Sequence, residues 1–389
     1  MSAAHTGGGD TSGGADAGGG ADTGGRADTG GAAHTGGGDT RGRADTGGAG
    51  GTAALERWLD ARNLGSGPTA LEPLGDGHSN PTFVVHRPPD RWVLRRAPHG
   101  PLAPSTHDVL REAAWMRALR PAGIPVPVVV DGSDDPAIVG TPFFVMELVE
   151  GFVPGPGSGA IPEAVDQPDG RRSIVEAFVD ALAALHRVPA DLPGLARFHR
   201  PGNYLERQIE RFSGLWERNR TRSLPDVDDL TGWLRSNIPA TLRVGVVHGD
   251  ARPGNAVFRP RADGRAELVG LLDWEMAAIG DPLADVGYLL ATWAEGTDPH
   301  DPLFDVSIWT RAPGYPTREE IATRYAELTG TSMAELRFYV VLALWKAVIL
   351  MEGNLRRYLD GQADNPYFET YVDGLPPIAD RGRRLTEQS

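Results

Sequence analysis

The stretch from residue 244 to residue 285, VGVVHGDARPGNAVFRPRADGRAELVGLLDWEMAAIGDPLAD, constrains this chain more than any other. An apolar run leads into His248-Gly249-Asp250. A loop carries Asn255, a short strand runs to a turn at Asp263-Gly264, and a second strand ends in Asp273-Trp274-Glu275. Asp250, Asn255 and Asp273 therefore fall at strand ends or in the adjoining loop, where a rigid scaffold can hold reactive groups. Phosphoryl transfer asks for these types. A carboxylate orients the attacking hydroxyl and accepts its proton, while Mg2+ takes one or two oxygen side chains plus the substrate phosphates. On that reading Asp250 is the base, and Asn255 and Asp273 hold the metal. Arg252, two residues after the base, can reach the transferred group and offset its charge.

The interval from Asp250 to Asn255 matches the H-R-D-x-x-x-x-N spacing of kinases. HGDARPGN at 248–255 and LLDWEMAAIGDPLAD at 271–285 together resemble the catalytic segment of the aminoglycoside phosphotransferase and choline kinase-like family. The fold this resemblance implies is an α+β, protein kinase-like two-lobed one, with a small mainly β lobe and a larger mainly helical lobe. It covers nearly everything after residue 52. ATP and Mg2+ are then expected between the lobes. A hairpin in which Asp and Asn merely make turns leaves the ordered set of residues unexplained.

Other signatures are missing. The only lysine, Lys346, lies between Trp345 and Ala347, so no P-loop exists. No G-x-S-x-G or H-E-x-x-H occurs. With no cysteine, disulfides and Cys-based zinc sites are excluded, which fits the cytoplasm. The formal net charge of -14 argues against a nucleic-acid partner. Residues 1–52, loose repeats of Gly, Ala, Asp and Thr, have almost nothing apolar to bury and are expected to form a disordered tail without signal-peptide character. The next two segments are a nucleotide-binding lobe, 53–149, and a catalytic and acceptor-binding lobe, 150–389.

Along the chain, Thr52 is expected to cap a helix from Ala53 to Asn63. Leu74 to Val85 reads as strand, Gly-containing turn, strand, with Ser79 and Asn80 beside the phosphates. The resemblance places Arg91–Arg95 at the V-A-I-K strand, with Arg95 where that family carries lysine. This is a departure, because a forked guanidinium does not replace an ammonium neutrally. In the helix Thr106 to Leu119 it makes Glu112 the acid that pairs with Arg95, and Arg111 and Arg117 compete for that acid. It puts the adenine hinge at Met146, Glu147 and Val149. It makes His248, Glu275 and Asp285 residues that steady the site without reacting. His186 reads as a helix-end residue.

Leu336 to Leu359 reads as a buried helix rather than a membrane span, because Lys346 interrupts its apolar run. Asn354, Arg356 and Asp360 are candidates to border the acceptor site. Glu206, Glu210, Asp226, Asp228 and Asp229 read as a solvated face that a cationic substrate could also use. The expected partner is a small-molecule hydroxyl acceptor, with no membrane. Oligomeric state is open. Three acceptor readings stand: an undefined hydroxylated metabolite, an aminoglycoside, or a hydroxyacyl thioester, since GDGHSNPTF, WVLRRAP and GTPFFVMELVEG resemble a branch with relatives fused to acyl-CoA dehydrogenases. A catalytically inactive nucleotide-binding protein, suggested by Arg95, is the reading from another class. A protein kinase lacks its A-P-E segment.

Overall fold

The computed structural model describes residues 52–74, 80–99, 108–155, 161–241, 243–299, 301–363 and 365–388. The tail before Thr52, and Ser79 with the turn around it, lie outside these residues.

The smaller lobe is an antiparallel sheet of β1 (Ala70–Pro73), β2 (Thr82–Arg87), β3 (Asp90–Arg96), β4 (Val129–Ser133) and β5 (Phe143–Glu147), in the order β1-β2-β3-β5-β4. Alternation along the strands separates its two faces. Val85, Leu94, Phe143 and Val145 pack on Leu55, Trp58 and Leu59 of α1 (Thr52–Asp60). Val93, Phe144 and Met146 face the main core together with α2 (Val109–Leu119). Arg95 lies two residues beyond Val93, so it points toward α2. Arg96 falls on the other face, its guanidinium 5.7 Å from the centre of the Phe83 ring.

Two helix starts differ from expectation. Thr52 lies inside α1, which ends at Asp60. The second helix begins at Val109 because the Asp108 side chain accepts from the Arg111 N–H, an N-cap that the stretch from Thr106 obscured. A short helix, α3 (Pro136–Val139), joins β4 to β5.

The larger lobe contains α4 (Pro168–His186), α5 (Tyr204–Asn219), α6 (Pro225–Ser236), the small strand pair β6 (Gly245–Val247) and β9 (Ala278–Gly280), and the hairpin β7 (Ala256–Pro260) and β8 (Ala266–Leu271). It continues through α7 (Leu283–Thr292), α8 (Arg318–Thr329), α9 (Leu336–Leu359) and α10 (Tyr371–Glu387). Helices α7 and α9 form its centre. Gly287 lets them approach, because a Cβ there would lie 2.5 Å from the Tyr339 backbone. Among the described residues, α9 is the one helix long and apolar enough to cross a membrane by length and composition. Of its most apolar window, 78% is buried within the fold.

Candidate active site

Strand β6 delivers His248-Gly249-Asp250 to the cleft side of the larger lobe. The turn needs glycine at 249. Its φ is 89°, and a Cβ would lie 2.6 Å from the Met276 carbonyl oxygen. Asp285, in the first turn of α7, fixes the same turn. Its carboxylate accepts from the N–H groups of His248 at 2.6 Å and Gly249 at 2.8 Å, and from His186 Nε2 at 3.1 Å. His186 Nδ1 in turn lies 2.7 Å from the Tyr325 hydroxyl. The His248 ring lies beside Trp274, donates from Nε2 to the Leu272 carbonyl at 2.9 Å, and accepts the Asp250 N–H on Nδ1 at 3.3 Å. Those two partners select the Nε2–H tautomer.

The Asp250 side chain is held from three sides. Asn255 Nδ2 donates to its carboxylate at 2.7 Å and to its backbone carbonyl at 2.9 Å. Arg252 Nε lies 3.5 Å from Oδ1. The Tyr288 hydroxyl, from α7, is also hydrogen-bonded to it. Burial and the Asp250 charge push the Tyr288 phenol well above its ordinary value, so it stays protonated and donates. The Asn255 amide nitrogen is thereby spent on Asp250. The Leu272 N–H donates to the Asn255 carbonyl at 2.8 Å, tying this loop to the strand end that precedes Asp273.

Asp273 adopts a left-handed backbone, φ 65° and ψ 64°, uncommon for a non-glycine residue. Its carboxylate lies 3.0 Å from Arg95 Nη2, while Arg95 Nε donates to Glu112 at 2.8 Å. Glu275 is 3.9 Å from the same guanidinium and accepts from Asn80 Nδ2 at 3.2 Å. One largely covered cation thus faces three carboxyl groups. Burial opposes the Arg95 charge, but Glu112, Asp273 and Glu275 outweigh it and raise its pKa above the guanidinium norm. Burial and the Asp273 charge push Glu275 up to about 8, against the pull of Arg95. Burial also raises Glu112, to about 7, with Arg95 opposing and Asp273 assisting.

The structure therefore brings Asn80, Arg95, Glu112, Asp273 and Glu275 into one cluster, and Asp250, Arg252 and Asn255 into another joined to it through Leu272. Arg111 does not compete for Glu112. It donates to the carbonyls of Glu275, at 3.0 Å, and Ala277. Met146 and Glu147 pair with Val93 and Trp92 at the end of β5, and Val149 follows beside Gly270 of β8.

Beyond Asp250 opens a cavity walled by α5, α7, α9 and the segment around Leu303 and Val306. From α9 it takes Tyr339, Leu342, Ala343, Lys346, Ala347, Leu350 and Met351, one stripe at helical spacing. Asn354, Arg356 and Asp360 do not line it. Asn354 is buried against Arg357, and Arg356 pairs with Asp360 at 2.9 Å beyond the cavity's end. Nor do Glu206, Glu210, Asp226, Asp228 or Asp229. Sequence reasoning missed Tyr288 and Lys346. The available signal was the lone lysine within an apolar helix.

The profile of the phosphotransferase enzyme family matches residues 70–337. The chain belongs to that family. It is a small-molecule kinase with the two-lobed, kinase-like α+β fold. A provisionally assigned aminoglycoside phosphotransferase from Ralstonia eutropha JMP134 superposes with a TM-score of 0.71 at 28% identity, over 86% of this chain and 98% of that one. The aminoglycoside phosphotransferase APH(4)-Ia, in a ternary complex with AMP-PNP and hygromycin B, shares the fold, with a TM-score of 0.55 at 15% identity over 85% of this chain and 98% of that one. Among curated relatives, mouse acyl-CoA dehydrogenase family member 10 is 34% identical over 317 residues, 80% of this chain and 29% of that protein. The Arabidopsis thaliana probable acyl-CoA dehydrogenase IBR3 is 34% identical over 334 residues, 78% of this chain and 39% of that protein. The chain thus spans well under half the length of these relatives.

Proposed function

We propose that this phosphotransferase uses ATP and Mg2+ to phosphorylate the hydroxyl of a small, largely apolar acceptor. The observation that carries the reading is the position of Asp250. It lies on the wall of the cavity, with Asn255 holding its carboxylate and the Asn255 loop clasped to the strand end before Asp273. Asp250 orients the acceptor hydroxyl and takes its proton as the new oxygen–phosphorus bond forms and the bond to the ADP leaving group breaks. Arg252 and Arg95 balance phosphate charge. The Asn255 amide oxygen and the Asp273 carboxylate are the donors for Mg2+, and this set of one amide and one carboxylate suits an ion that takes its remaining ligands from phosphates and water. That ion supplies neutralisation of developing charge at the phosphates. Asn80 and Glu112 act on the nucleotide side, where Met146, Glu147 and Val149 form the adenine hinge. His248, Glu275 and Asp285 position these groups.

The lining of the cavity supports one acceptor reading over another. Its wall is mainly Val, Leu, Ala, Met and Tyr, and its acids are Asp250 and Asp285. Asp285 already serves three donors. A polycationic aminoglycoside finds no acidic cluster there, whereas an acyl chain finds apolar walls. We therefore rank a hydroxyacyl thioester above an aminoglycoside. The names of the curated relatives agree with that order. The test is ATP turnover with Mg2+ by the purified chain, beside Asp250→Asn, against hydroxyacyl-CoAs, aminoglycosides, choline and sugars. Turnover stimulated by the hydroxyacyl pool and lost in the variant supports the reading. Stimulation by the aminoglycosides alone reverses the ranking. A second reading rests on Arg95, which stands where the resemblance expects lysine: a protein that binds nucleotide without turning it over. ATP binding without turnover in any pool would select it.

A further inference from the structure

Lys346 is the only lysine in the chain; every other strong base is arginine. It stands midway along the α9 stripe that walls the acceptor cavity, between Leu342 and Leu350. Its ammonium lies 4.8 Å from the centre of the Phe212 ring. No carboxylate lies within ion-pair distance of it among the described residues. A cation on an apolar wall is costly unless something of opposite polarity completes it. Here the π face of Phe212 offers only partial compensation. The neighbouring charges are Arg211 on the side of repulsion and Asp285 on the side of attraction, and Asp285 is committed to the catalytic turn.

We propose that Lys346 is a specificity-determining residue of the acceptor pocket, its ammonium receiving a carboxylate or acyl carbonyl oxygen carried by the same molecule whose hydroxyl meets Asp250. The proposal rests on the phosphotransferase reading given above and deepens it. The apolar stripe accommodates the carbon chain joining the two oxygens. A compact ammonium on a flexible stem can turn toward such an oxygen, and its other strong contact is a ring face. Lys346 repels an acceptor that carries amines. Burial, aided by Arg211, lowers the Lys346 pKa to about 8, so at neutral pH the charge is present but poorly solvated, and an oxygen partner gains accordingly.

A single lysine makes the test direct. The full chain labelled with 13C at the lysine ε carbon gives one lysine side-chain signal. It is titrated, with Mg2+ and AMP-PNP present, with a short-chain hydroxy acid, its CoA thioester, the diol of equal length and an aminoglycoside. The expected result is that the acid or the thioester moves the Lys346 signal and raises its titration midpoint, while the diol does not. A larger response to the acid identifies a carboxylate partner, and a larger response to the thioester an acyl carbonyl. Lys346→Met is expected to lower kcat/KM for the responding compound by roughly 10- to 100-fold, as for a lost charged hydrogen bond, and to erase its advantage over the diol. Lys346→Arg is expected to restore part of that advantage. An unmoved signal under a saturating acceptor overturns the proposal, as does a Lys346→Met enzyme that keeps the wild-type order of acceptors. Absence of ATP turnover with every compound would instead defeat the phosphotransferase reading, and the signal titration would still decide Lys346 by binding.

Discussion

Arg95 of the small lobe and Asp273 of the large lobe form an ion pair 3.0 Å long, and the same guanidinium holds Glu112 at 2.8 Å. The lobes therefore meet at one cation shared by carboxylates. Removing that cation leaves Asp273 and Glu112 without their partner. Arg95→Met is expected to destabilise the chain by about 3–5 kcal/mol, the usual cost of breaking a buried pair from one side. Urea unfolding of the two proteins checks it; equal midpoints would show that the cluster is solvated in solution.

The acids of this cluster give a pH dependence of defined sign. Glu275 and Glu112 hold their protons to about 8 and about 7 in the folded chain, against an ordinary 4.5. The folded state then binds more protons than the unfolded state between those limits. The stability they contribute is present at low pH and is lost as pH rises toward 8. Between pH 6 and 8 the thermal midpoint should fall in metal-free buffer, and Glu275→Gln should flatten that fall. A wild-type midpoint that rises over this interval by as much as the variant's would refute the assignment.

Asp250→Asn keeps the size of the side chain and its contact with Asn255 but removes the proposed base. Turnover is expected to drop by about 10²–10⁴-fold with ATP affinity nearly unchanged. Steady-state kinetics and calorimetric ATP titration separate the two effects. Loss of ATP binding in parallel would assign Asp250 to the nucleotide instead.

Asp285→Ala removes the acceptor for two backbone N–H groups and for His186. Each buried donor left unsatisfied costs about 1–3 kcal/mol. The variant should lose several kcal/mol of stability and most of its turnover, since Gly249 and Asp250 lose their anchor. Gly249→Ala should reduce turnover by a different route, strain at φ 89° and collision with Met276, and the two defects should not add. Hydrogen exchange at the 248–250 amides distinguishes an unanchored turn from a displaced one.

Much of the clustering around Arg95 and Asp250 was legible in the sequence because its residues are set by local rules. Alternation along β3 decides that Arg95 faces α2 and Arg96 does not. The short turn from β6 leaves the Asp250 side chain near Asn255, five residues on. The cavity beyond Asp250 was less legible, because the packing of α7 and α9 builds it. Tyr288 reaches Asp250 from a helix whose sequence shows only apolar periodicity. Lys346 looked like an interruption in a buried run until the stripe from Tyr339 to Met351 proved to be a wall. Asn354 continues the same spacing, but the cavity ends one turn earlier, and no periodicity records where a space stops.

That stripe has a further consequence. The groups proposed to move the phosphoryl group sit on the β6 turn and the β7–β8 hairpin, while much of the contour and charge of the proposed acceptor cavity belongs to one face of α9. Exchanging Leu342, Lys346 or Leu350 would reshape the receiving chamber without rewriting the catalytic turn. In a lineage, such a layout lets substrate choice drift on a single helix while the chemistry is inherited intact.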